Sequence, residues 1–179
     1  MPKELAITSG IYRGRKLIAP DTAATHPMGS REKLALFNAL ISAGADFSAN
    51  TRVLDLYAGS GALGLEAISR GAGSVDFMDN NAKARTAIRE NAKMLGLDSY
   101  NLVSNPFSLE ASSYDVIIAD PPYDNFPADL GFIPPLLADG GFLVLSHPDT
   151  VNPETLFKDL QYLTTKSHAR SRISIFVKR

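Results

Sequence analysis

A glycine-rich turn between an apolar run and a helical pattern constrains the fold of this chain more than any other feature. Residues 52–58 are predicted to form a buried strand, the next six residues have the sequence GSGALG, and a helical pattern follows over residues 65–70. Gly59 and Gly61 allow a tight turn and a close approach of the backbone to a ligand, and Gly64 allows the helix to pack near the strand. This order of strand, turn and helix is typical of α/β proteins that bind nucleotides.

The turn fits a cofactor built on adenosine. The next strand pattern, 74–79, ends in Asp79, about 20 residues after Gly59, where a carboxylate can bind two ribose hydroxyls. The spacing also satisfies the dinucleotide fingerprint, so a nicotinamide-dependent dehydrogenase is the alternative. However, Asp55 stands four residues before Gly59, where it would repel a pyrophosphate and attract an amino-acid ammonium. No second domain for a hydride acceptor is evident, and S-adenosyl-L-methionine therefore fits better.

A second motif, with the sequence DPPY, follows the apolar run 116–119, which is predicted to be a buried strand. Two consecutive prolines cannot continue a sheet ladder, and they stiffen the backbone. The Asp120 carboxylate, the Pro121 carbonyl and the Tyr123 ring are therefore held in a fixed relation. This arrangement suits the binding of a flat amine, and the alternative is a rigid turn at a strand end.

The chemistry of a flat amine explains why these groups are needed together. The lone pair of such an amine is delocalised into the π system, so the nitrogen is a poor nucleophile. A carboxylate and a backbone carbonyl can each accept one N–H, which favours the pyramidal amine and stabilises the growing positive charge. Stacking of a base on Tyr123 would contribute about 1–3 kcal/mol. Together with the glycine turn, the motif predicts methyl transfer to an amine.

The amino-acid composition narrows the chemistry and the compartment. The 179 residues contain no cysteine, which excludes disulfides, cysteine-ligated zinc and the thiolate nucleophile that methylation of a pyrimidine C5 requires. Direct transfer to a heteroatom remains, and no metal site is expected. An apolar content of 45% is ordinary for a soluble domain, and no apolar stretch approaches the length of a membrane helix. With no signal-peptide pattern, we expect a cytoplasmic protein without a membrane partner.

The charges are unevenly distributed along the chain. Residues 1–52 have a net charge of +3 and residues 158–179 of +5, whereas residues 53–157 have a net charge of −9. Basic ends around an acidic middle predict a polyanionic partner that is held from the flanks. An unevenly charged, solvated surface is the alternative.

A basic tip is predicted near the amino terminus. The short apolar runs 5–7 and 17–18 predict a β-hairpin whose tip has the sequence YRGRK. An exposed aromatic ring beside arginines can stack on a base while the cations bind phosphates. Equally, the tyrosine can cover the apolar face of the hairpin. The predicted RNA-binding residues belong to this tip and to the start of the following helix: Tyr12, Arg13, Arg15, Lys16 and Arg31.

The remaining patterns complete an α/β chain without repeats. Ser30 is predicted to cap a helix whose apolar face follows from the spacing of Leu34, Phe37, Leu40 and Ile41. Asn105 follows a short strand pattern and is predicted either to bind the adenine edge or to cap a turn. The other expected elements are a helix over 81–95, strands over 101–103 and 142–145, short helical turns within 126–137, and a terminal hairpin of 162–164 with 173–177.

Four segments in combination resemble one protein family. They are the glycine turn, the DPPY motif, residues 7–17 with the sequence ITSGIYRGRKL, and residues 35–38 with the sequence ALFN. The chain resembles the bacterial 16S rRNA guanine-N2-methyltransferase family, a class I S-adenosylmethionine-dependent family, over nearly its whole length. The resemblance implies an α/β, Rossmann-like single domain with a mostly parallel seven-stranded sheet and a terminal antiparallel hairpin. Residues 1–25 would form an amino-terminal β-hairpin extension, and residues 26–179 the catalytic core.

The resemblance also implies a substrate and a set of site residues. It implies methylation of N2 of one guanine in 16S rRNA of the small ribosomal subunit, and we expect the protein to be a monomer. Asp120, Pro121 and Tyr123 are the expected catalytic residues. The expected cofactor contacts are Asp55, Ala58, Gly59, Ser60, Gly61, Gly64, Asp79, Asn80, Asn105 and Asp120.

Two departures from the family pattern concern the substrate side. The sequence HPM stands at 26–28 where the family usually has Arg-Pro-Thr, and Leu34 stands where the family has a glutamate. His26 is interpreted as a surface or packing residue.

The motifs leave three alternatives: a DNA adenine-N6 methyltransferase, which normally adds a target-recognition region; a protein glutamine methyltransferase, which usually has Asn first in the tetrapeptide; and a catalytically silent RNA-binding assembly factor.

Overall fold

The apolar runs of the sequence become the strands of one sheet. The computed structural model describes residues 5–20, 28–168 and 171–179, so the interpretation of His26 lies outside the described residues. The helices are α1 (Ser30–Ala43), α2 (Ala62–Ser69) and α3 (Ala82–Leu95). The strands are β1 (Arg52–Leu56), β2 (Ser74–Met78), β3 (Asn101–Val103), β4 (Tyr114–Ala119), β5 (Leu137–His147), β6 (Gln161–His168) and β7 (Ser171–Val177).

The seven strands have the order β3-β2-β1-β4-β5-β7-β6. The first five strands are parallel, and β7 runs antiparallel between β5 and β6. The predicted mostly parallel sheet with a terminal antiparallel hairpin is therefore confirmed. Parallel neighbours present the same ends at the same edge of the sheet, which is the property that assembles the site described below.

The register aligns the carboxyl ends of three central strands. Leu56 of β1 pairs with Met78 of β2 and with Ala119 of β4. The next residues along β2 and β4 are Asp79 and Asp120. Both acids therefore leave the sheet at one edge, which we call the carboxyl edge, and this is where open α/β sheets bind their ligands.

The two faces of the sheet are covered by different kinds of structure. On one face, Val53 and Val116 pack in a core with side chains of all three helices. On the other face, Leu54 and Ile117 pack against the irregular segments that follow β4 and β5. The short helical turns predicted within 126–137 are confirmed by the 3₁₀ turn Pro134–Leu136. Among the residues that the structure describes, no helix is long and apolar enough to cross a membrane.

The first helix differs from its prediction at its start and on its buried face. Gly29, not Ser30, is the N-cap, and the Glu32 carboxylate accepts a hydrogen bond of 2.7 Å from the Gly29 N–H. Leu34 and Ile41 were predicted to be apolar-face residues, but they are 38% and 50% exposed. The buried side of α1 is formed instead by Lys33, Leu36, Phe37, Ala39 and Leu40. The prediction is therefore confirmed for Phe37 and Leu40 and wrong for Leu34 and Ile41, because the buried face is turned toward Lys33 and Leu36.

Lys33 is buried because it pairs with an equally buried acid. Its Nζ lies 3.3 Å from Oε2 of Glu66 in α2, and the two side chains are 1% and 0% exposed. Glu66 also accepts hydrogen bonds of 2.8 and 2.7 Å from the N–H and the hydroxyl of Thr8. Arg70 completes the cluster, with a guanidinium nitrogen 3.1 Å from Glu66 Oε1. Buried charges are stable when they are paired in this way, and the cluster fastens the amino-terminal hairpin to α1 and α2.

Residues 5–17 of the predicted amino-terminal extension pair with one another, whereas residues 1–4 and 21–25 of that extension lie outside the described residues. Ala6 forms an antiparallel bridge with Lys16. The tip then contacts the carboxyl end of α2, where the Ile11 N–H donates a hydrogen bond of 2.8 Å to the Ser69 carbonyl. Because α2 begins at the carboxyl edge, Ser69 lies toward the opposite edge of the sheet. The basic tip is therefore held at the far end of the domain from Asp79 and Asp120.

We expect Gly10→Ala to detach the hairpin tip from α2. A Cβ at Gly10 would lie 1.7 Å from the Ser69 carbonyl oxygen. This clash should lower the free energy of unfolding by about 1–3 kcal/mol in chemical denaturation, and it should speed hydrogen exchange of the Ile11 amide. Gly14→Ala is the matched control, because Gly14 has a similar φ of +83° but nothing within 4 Å of the added carbon. Equal losses in the two variants would contradict the proposed clash.

Candidate active site

Four segments that are distant in sequence meet at the carboxyl edge. β1 leads into the glycine turn, β2 into Asp79 and β4 into Asp120. Glu32, in the first turn of α1, is also near this edge, close enough for its charge to raise the pKa of Asp120. The predicted cofactor residues and the predicted acceptor residues are therefore brought to one place.

The glycine turn adopts a backbone that few residues tolerate. Tyr57, Gly59 and Gly61 have φ values of 66°, 56° and 76°, all in the left-handed region. A non-glycine residue such as Tyr57 adopts this region at a cost, and such strain is concentrated at ligand sites. The Ala58 N–H donates to the Met78 carbonyl at 3.0 Å, which fixes the turn against β2. A Cβ at Gly59 would meet nothing within 4 Å, so the space beside the turn is open to a ligand.

Asn91 of α3 supports the turn from behind. Its Nδ2 donates hydrogen bonds of 2.9 Å to the carbonyls of Ser60 and Ile18, and its Oδ1 accepts one of 2.7 Å from the Ile18 N–H. Ser60 is buried, so its predicted cofactor contact would be made by backbone atoms. Asn91 was absent from the sequence predictions, because an asparagine within a helical pattern usually lies on the surface.

Gly64 and Asp55 form a close contact between α2 and β1. A Cβ at Gly64 would lie 2.4 Å from Phe77 Cε1 and 3.1 Å from the Asp55 Cβ, so only glycine fits. The Gly64 N–H donates a hydrogen bond of 2.8 Å to Asp55 Oδ2. The other oxygen, Oδ1, is buried and has no hydrogen-bond partner among the described residues. Buried polar atoms are nearly always paired, so this atom indicates a missing donor.

The protonation of Asp55 is governed by its burial. Burial raises the pKa of Asp55 well above its ordinary value, the bond from Gly64 opposes this rise, and the negative charges of Asp120 and Asp79 add to it. A cationic donor at Oδ1 would satisfy the orphaned oxygen and neutralise the carboxylate. An amino-acid ammonium has this chemistry, and the residues present therefore fit a cofactor that joins an adenosine to an amino acid.

Asp79 occupies the position expected of a ribose-binding acid. Its Oδ2 accepts a hydrogen bond of 2.8 Å from the Gly59 N–H, and its Oδ1 accepts one of 2.8 Å from the Asn81 N–H. A carboxylate oxygen has two lone pairs, so each oxygen can still accept a ribose hydroxyl. Asn80, which follows Asp79 in the sequence, is exposed. Asn105 is exposed and accepts a hydrogen bond of 2.9 Å from the Phe107 N–H, which is the turn-capping alternative, and its contact with a cofactor stays a prediction.

Asp120, Pro121 and Tyr123 follow the end of β4, and Asp120 is half-buried. Pro121 is buried, and Tyr123 is half-buried at the start of a 3₁₀ turn. Burial raises the pKa of Asp120 to about 6, hydrogen bonding by Ser146 opposes the rise, and the charge of Glu32 adds to it. The Tyr123 hydroxyl also forms a hydrogen bond with Ser146 Oγ. Asp120 is thus largely ionised at neutral pH and can accept an N–H.

Two neighbours of Asp120 were absent from the sequence predictions. Glu32 lies in the first turn of α1, and its only sequence signal was a position three residues after the glycine cap. Ser146 directly follows the apolar run 142–145, and it is fully buried. A polar residue at the carboxyl end of a buried strand is the signal that could have identified it.

The predicted RNA-binding residues are divided between the two ends of the domain. Arg31 is exposed in the first turn of α1, beside Glu32 and thus near Asp120. Arg13, Arg15 and Lys16 are exposed on the hairpin tip, where an Arg15 guanidinium N–H donates to the Met94 carbonyl near the end of α3. Tyr12 is partly buried against the core of the helical face. This packing matches the alternative in which Tyr12 covers the hairpin.

His147, at the carboxyl end of β5, has hydrogen-bond partners for both of its ring nitrogens. His147 is buried, with Nε2 2.7 Å from Ser174 Oγ and Nδ1 2.9 Å from the Pro148 carbonyl, so both ring nitrogens are engaged. Across the part of the chain that the structure describes, no group of three or more His, Asp or Glu side chains is arranged to hold a metal ion.

Comparisons with known proteins agree with the geometry. The sequence profile of a family described as "Conserved hypothetical protein 95" matches residues 5–177. The chain is 32% identical to "Putative rRNA methyltransferase YlbH" of Bacillus subtilis, over 98% of this chain and 100% of that protein. It is 34% identical to "Ribosomal RNA small subunit methyltransferase D" of Haemophilus influenzae, over 67% of this chain and 64% of that one. The solved structure "Putative methyltransferase yhhF from Escherichia coli" has a TM-score of 0.81 and 25% identity, over 98% of both chains.

Proposed function

Because the chain belongs to the "Conserved hypothetical protein 95" family of S-adenosylmethionine-dependent methyltransferases, we propose that it methylates the exocyclic N2 of a guanine in 16S rRNA of the small ribosomal subunit. One observation carries this proposal. The Asp120 carboxylate follows β4 at the same edge of the sheet where the neighbouring strand β1 leads into the glycine turn. Relatives named as rRNA methyltransferases support ribosomal RNA as the substrate class.

The cofactor side of the site is formed by residues of β1, β2 and the glycine turn. When bound, S-adenosylmethionine supplies a methyl group that is activated by its attachment to a sulfonium. Asp55 would bind the ammonium through its unpartnered Oδ1. Asp79 would accept the two ribose hydroxyls, and the open space at Gly59 would let the backbone approach the cofactor closely.

The acceptor side of the site handles the guanine amine. Asp120 and the Pro121 carbonyl would each accept one N–H of N2, which restores the nitrogen lone pair and aims it at the methyl group. As the N–C bond formed and the sulfonium C–S bond broke, one N–H proton of N2 would pass to the Asp120 carboxylate and then to solvent. A carboxyl group with a pKa of about 6 can both accept and release this proton near neutral pH. Tyr123 would stack on the base, and positioning would supply most of the acceleration.

The separation of the basic groups favours a large RNA over a free nucleoside. α3 runs from the carboxyl edge to the hairpin tip, and its 14 residues span about 20 Å. An RNA that contacts Arg31 at one end and Arg13 at the other must therefore be extended or folded over the domain. Contacts of this kind would bind the phosphate backbone and leave the choice of base to the site at Asp120.

The test offers labelled S-adenosylmethionine with small ribosomal subunits, free 16S rRNA, DNA and protein as separate acceptors. We expect label in rRNA at a single N2-methylguanine, as identified by nuclease digestion and mass spectrometry. Label that appears only in DNA or only in protein would overturn the rRNA proposal in favour of an adenine-N6 or glutamine methyltransferase. Calorimetry that finds no binding of the cofactor would favour a silent assembly factor.

A further inference from the structure

Ser146 stands beside the proposed acceptor site at the carboxyl end of β5. Ala119 of β4 pairs with Leu145 of β5, so Asp120 and Ser146 leave these two strands side by side. Ser146 is 0% exposed, and it lies in the centre of the sheet because β7 covers the other side of β5. Its hydroxyl is therefore held by the sheet and not by a mobile loop.

The hydroxyl of Ser146 contacts one of the side chains that are proposed to bind the guanine and lies next to the other. It forms a hydrogen bond with the Tyr123 hydroxyl. Because β4 and β5 end side by side, it also lies close enough to the Asp120 carboxyl to lower its pKa by hydrogen bonding. A serine hydroxyl has one proton to donate, and an ionised carboxylate can only accept. When the Ser146 hydroxyl donates its proton to Asp120, the Tyr123 hydroxyl must therefore be the donor to Ser146.

We propose that Ser146 is a positioning residue, which holds the Asp120 carboxylate and the Tyr123 ring in a fixed relation so that one guanine can be bound by both. This inference rests on the proposed amine-methylating function. Without the hydroxyl, the carboxylate is free to rotate away from the amine, and the tyrosine ring loses the contact that orients it. A buried hydroxyl that is fully used in this way is part of a network whose members act together.

Several charged and titratable groups around Asp120 affect its pKa. Glu32 from α1 raises the pKa of Asp120, and Asp55 from β1 is coupled to it by charge repulsion. Tyr123 approaches from the 3₁₀ turn after β4. Hydrogen bonding by Ser146 lowers the pKa of Asp120, because it stabilises the charged form. Removal of this one hydroxyl should raise that pKa while the other neighbours stay in place.

The first experiment titrates Asp120 in the full chain without RNA, by NMR of isotope-labelled aspartate, with the signal assigned through Asp120→Asn. We expect the midpoint near pH 6 to move to higher pH in Ser146→Ala. Ser174→Ala is the matched control, because Ser174 is also 0% exposed and hydrogen-bonded, on the neighbouring strand, but its partners are His147 and Thr165. An unmoved midpoint in Ser146→Ala, or the same shift in Ser174→Ala, would overturn the proposal.

The second experiment separates positioning from stability. Ser146→Ala should reduce kcat for methyl transfer by about 10- to 100-fold, as expected when reacting groups are misplaced, with the KM for S-adenosylmethionine unchanged. Ser174→Ala should leave kcat unchanged even where it lowers the unfolding temperature. If Ser146→Ala does not fold, Tyr123→Phe is the second variant, because it removes the hydrogen bond to Ser146 from its partly exposed end. This variant should also raise the titration midpoint of Asp120. If the wild-type chain transfers no methyl group to rRNA, the proposed function fails, while the titration still decides the role of Ser146.

Discussion

Replacement of Asp120 by asparagine should reduce the rate of methyl transfer by about 10²–10⁴-fold, the usual contribution of a positioned acid or base. The amide keeps the size of the side chain, but its NH₂ group cannot accept a proton from the guanine amine. Asp120 is also an expected cofactor contact, but the ammonium and the ribose are assigned to Asp55 and Asp79, so the affinity for S-adenosylmethionine should stay within a few-fold of the wild type. Single-turnover kinetics and calorimetry measure the two quantities separately.

Asp98→Asn is the control for this replacement. Asp98 is an exposed carboxylate in the loop between α3 and β3, so its removal changes the net charge by the same amount without touching the carboxyl edge. We expect wild-type rates from this variant. Methyl transfer by Asp120→Asn at a rate close to the wild type would remove Asp120 from the mechanism.

Much of the carboxyl edge could be predicted because its signals are local in sequence. The left-handed backbone at Gly59 and Gly61 requires glycine, and the rigid turn after Asp120 is specified by two adjacent prolines. A strand pattern before each motif then places both at the same edge, since parallel strands end together. The acid at Asp79 follows by the same argument from the end of β2.

The features that escaped prediction depend on contacts between distant segments. Lys33 is buried only because Glu66 meets it from another helix, and no pattern within α1 reveals that partner. Ser146 acquires its role from the pairing of β4 with β5, which a strand pattern does not specify. The hairpin tip was predicted as a basic turn, but its place at the far end of α2 depends on the contact of Gly10 with Ser69.

Asp55→Asn should have opposite effects on cofactor affinity and on stability. The amide oxygen can still accept the Gly64 N–H, but the NH₂ group would face the cofactor's ammonium in place of the unpartnered carboxylate oxygen. Loss of a hydrogen bond to a charged group costs about 1.5–3 kcal/mol, so the affinity for S-adenosylmethionine should fall by about 10- to 100-fold. Calorimetry measures this loss.

The cofactor-free variant should nevertheless be more stable than the wild type at neutral pH. Burial raises the pKa of Asp55 well above its ordinary value of 3.8, so the folded state binds this proton more tightly than the unfolded state. Stability from this group is present below pH 4 and is lost as the pH rises through the raised pKa. Asparagine does not titrate, so Asp55→Asn does not lose this stability. The difference in free energy of unfolding between the variant and the wild type should therefore grow over the same pH range.

Asp76→Asn shows why the gain should be specific to Asp55. Asp76 is a buried aspartate on the adjacent strand β2, but both of its oxygens accept hydrogen bonds, at 2.6 Å from the Tyr114 hydroxyl and 2.8 Å from Asn101 Nδ2. An amide NH₂ at this position would face a donor, so this variant should be less stable than the wild type.

An unpaired carboxylate at Asp55 lowers the stability of the cofactor-free protein, and binding of the cofactor should restore that stability. Denaturation with and without S-adenosylmethionine should show this coupling. Destabilisation by Asp55→Asn equal to that by Asp76→Asn would show that the orphaned oxygen has a partner in the free protein.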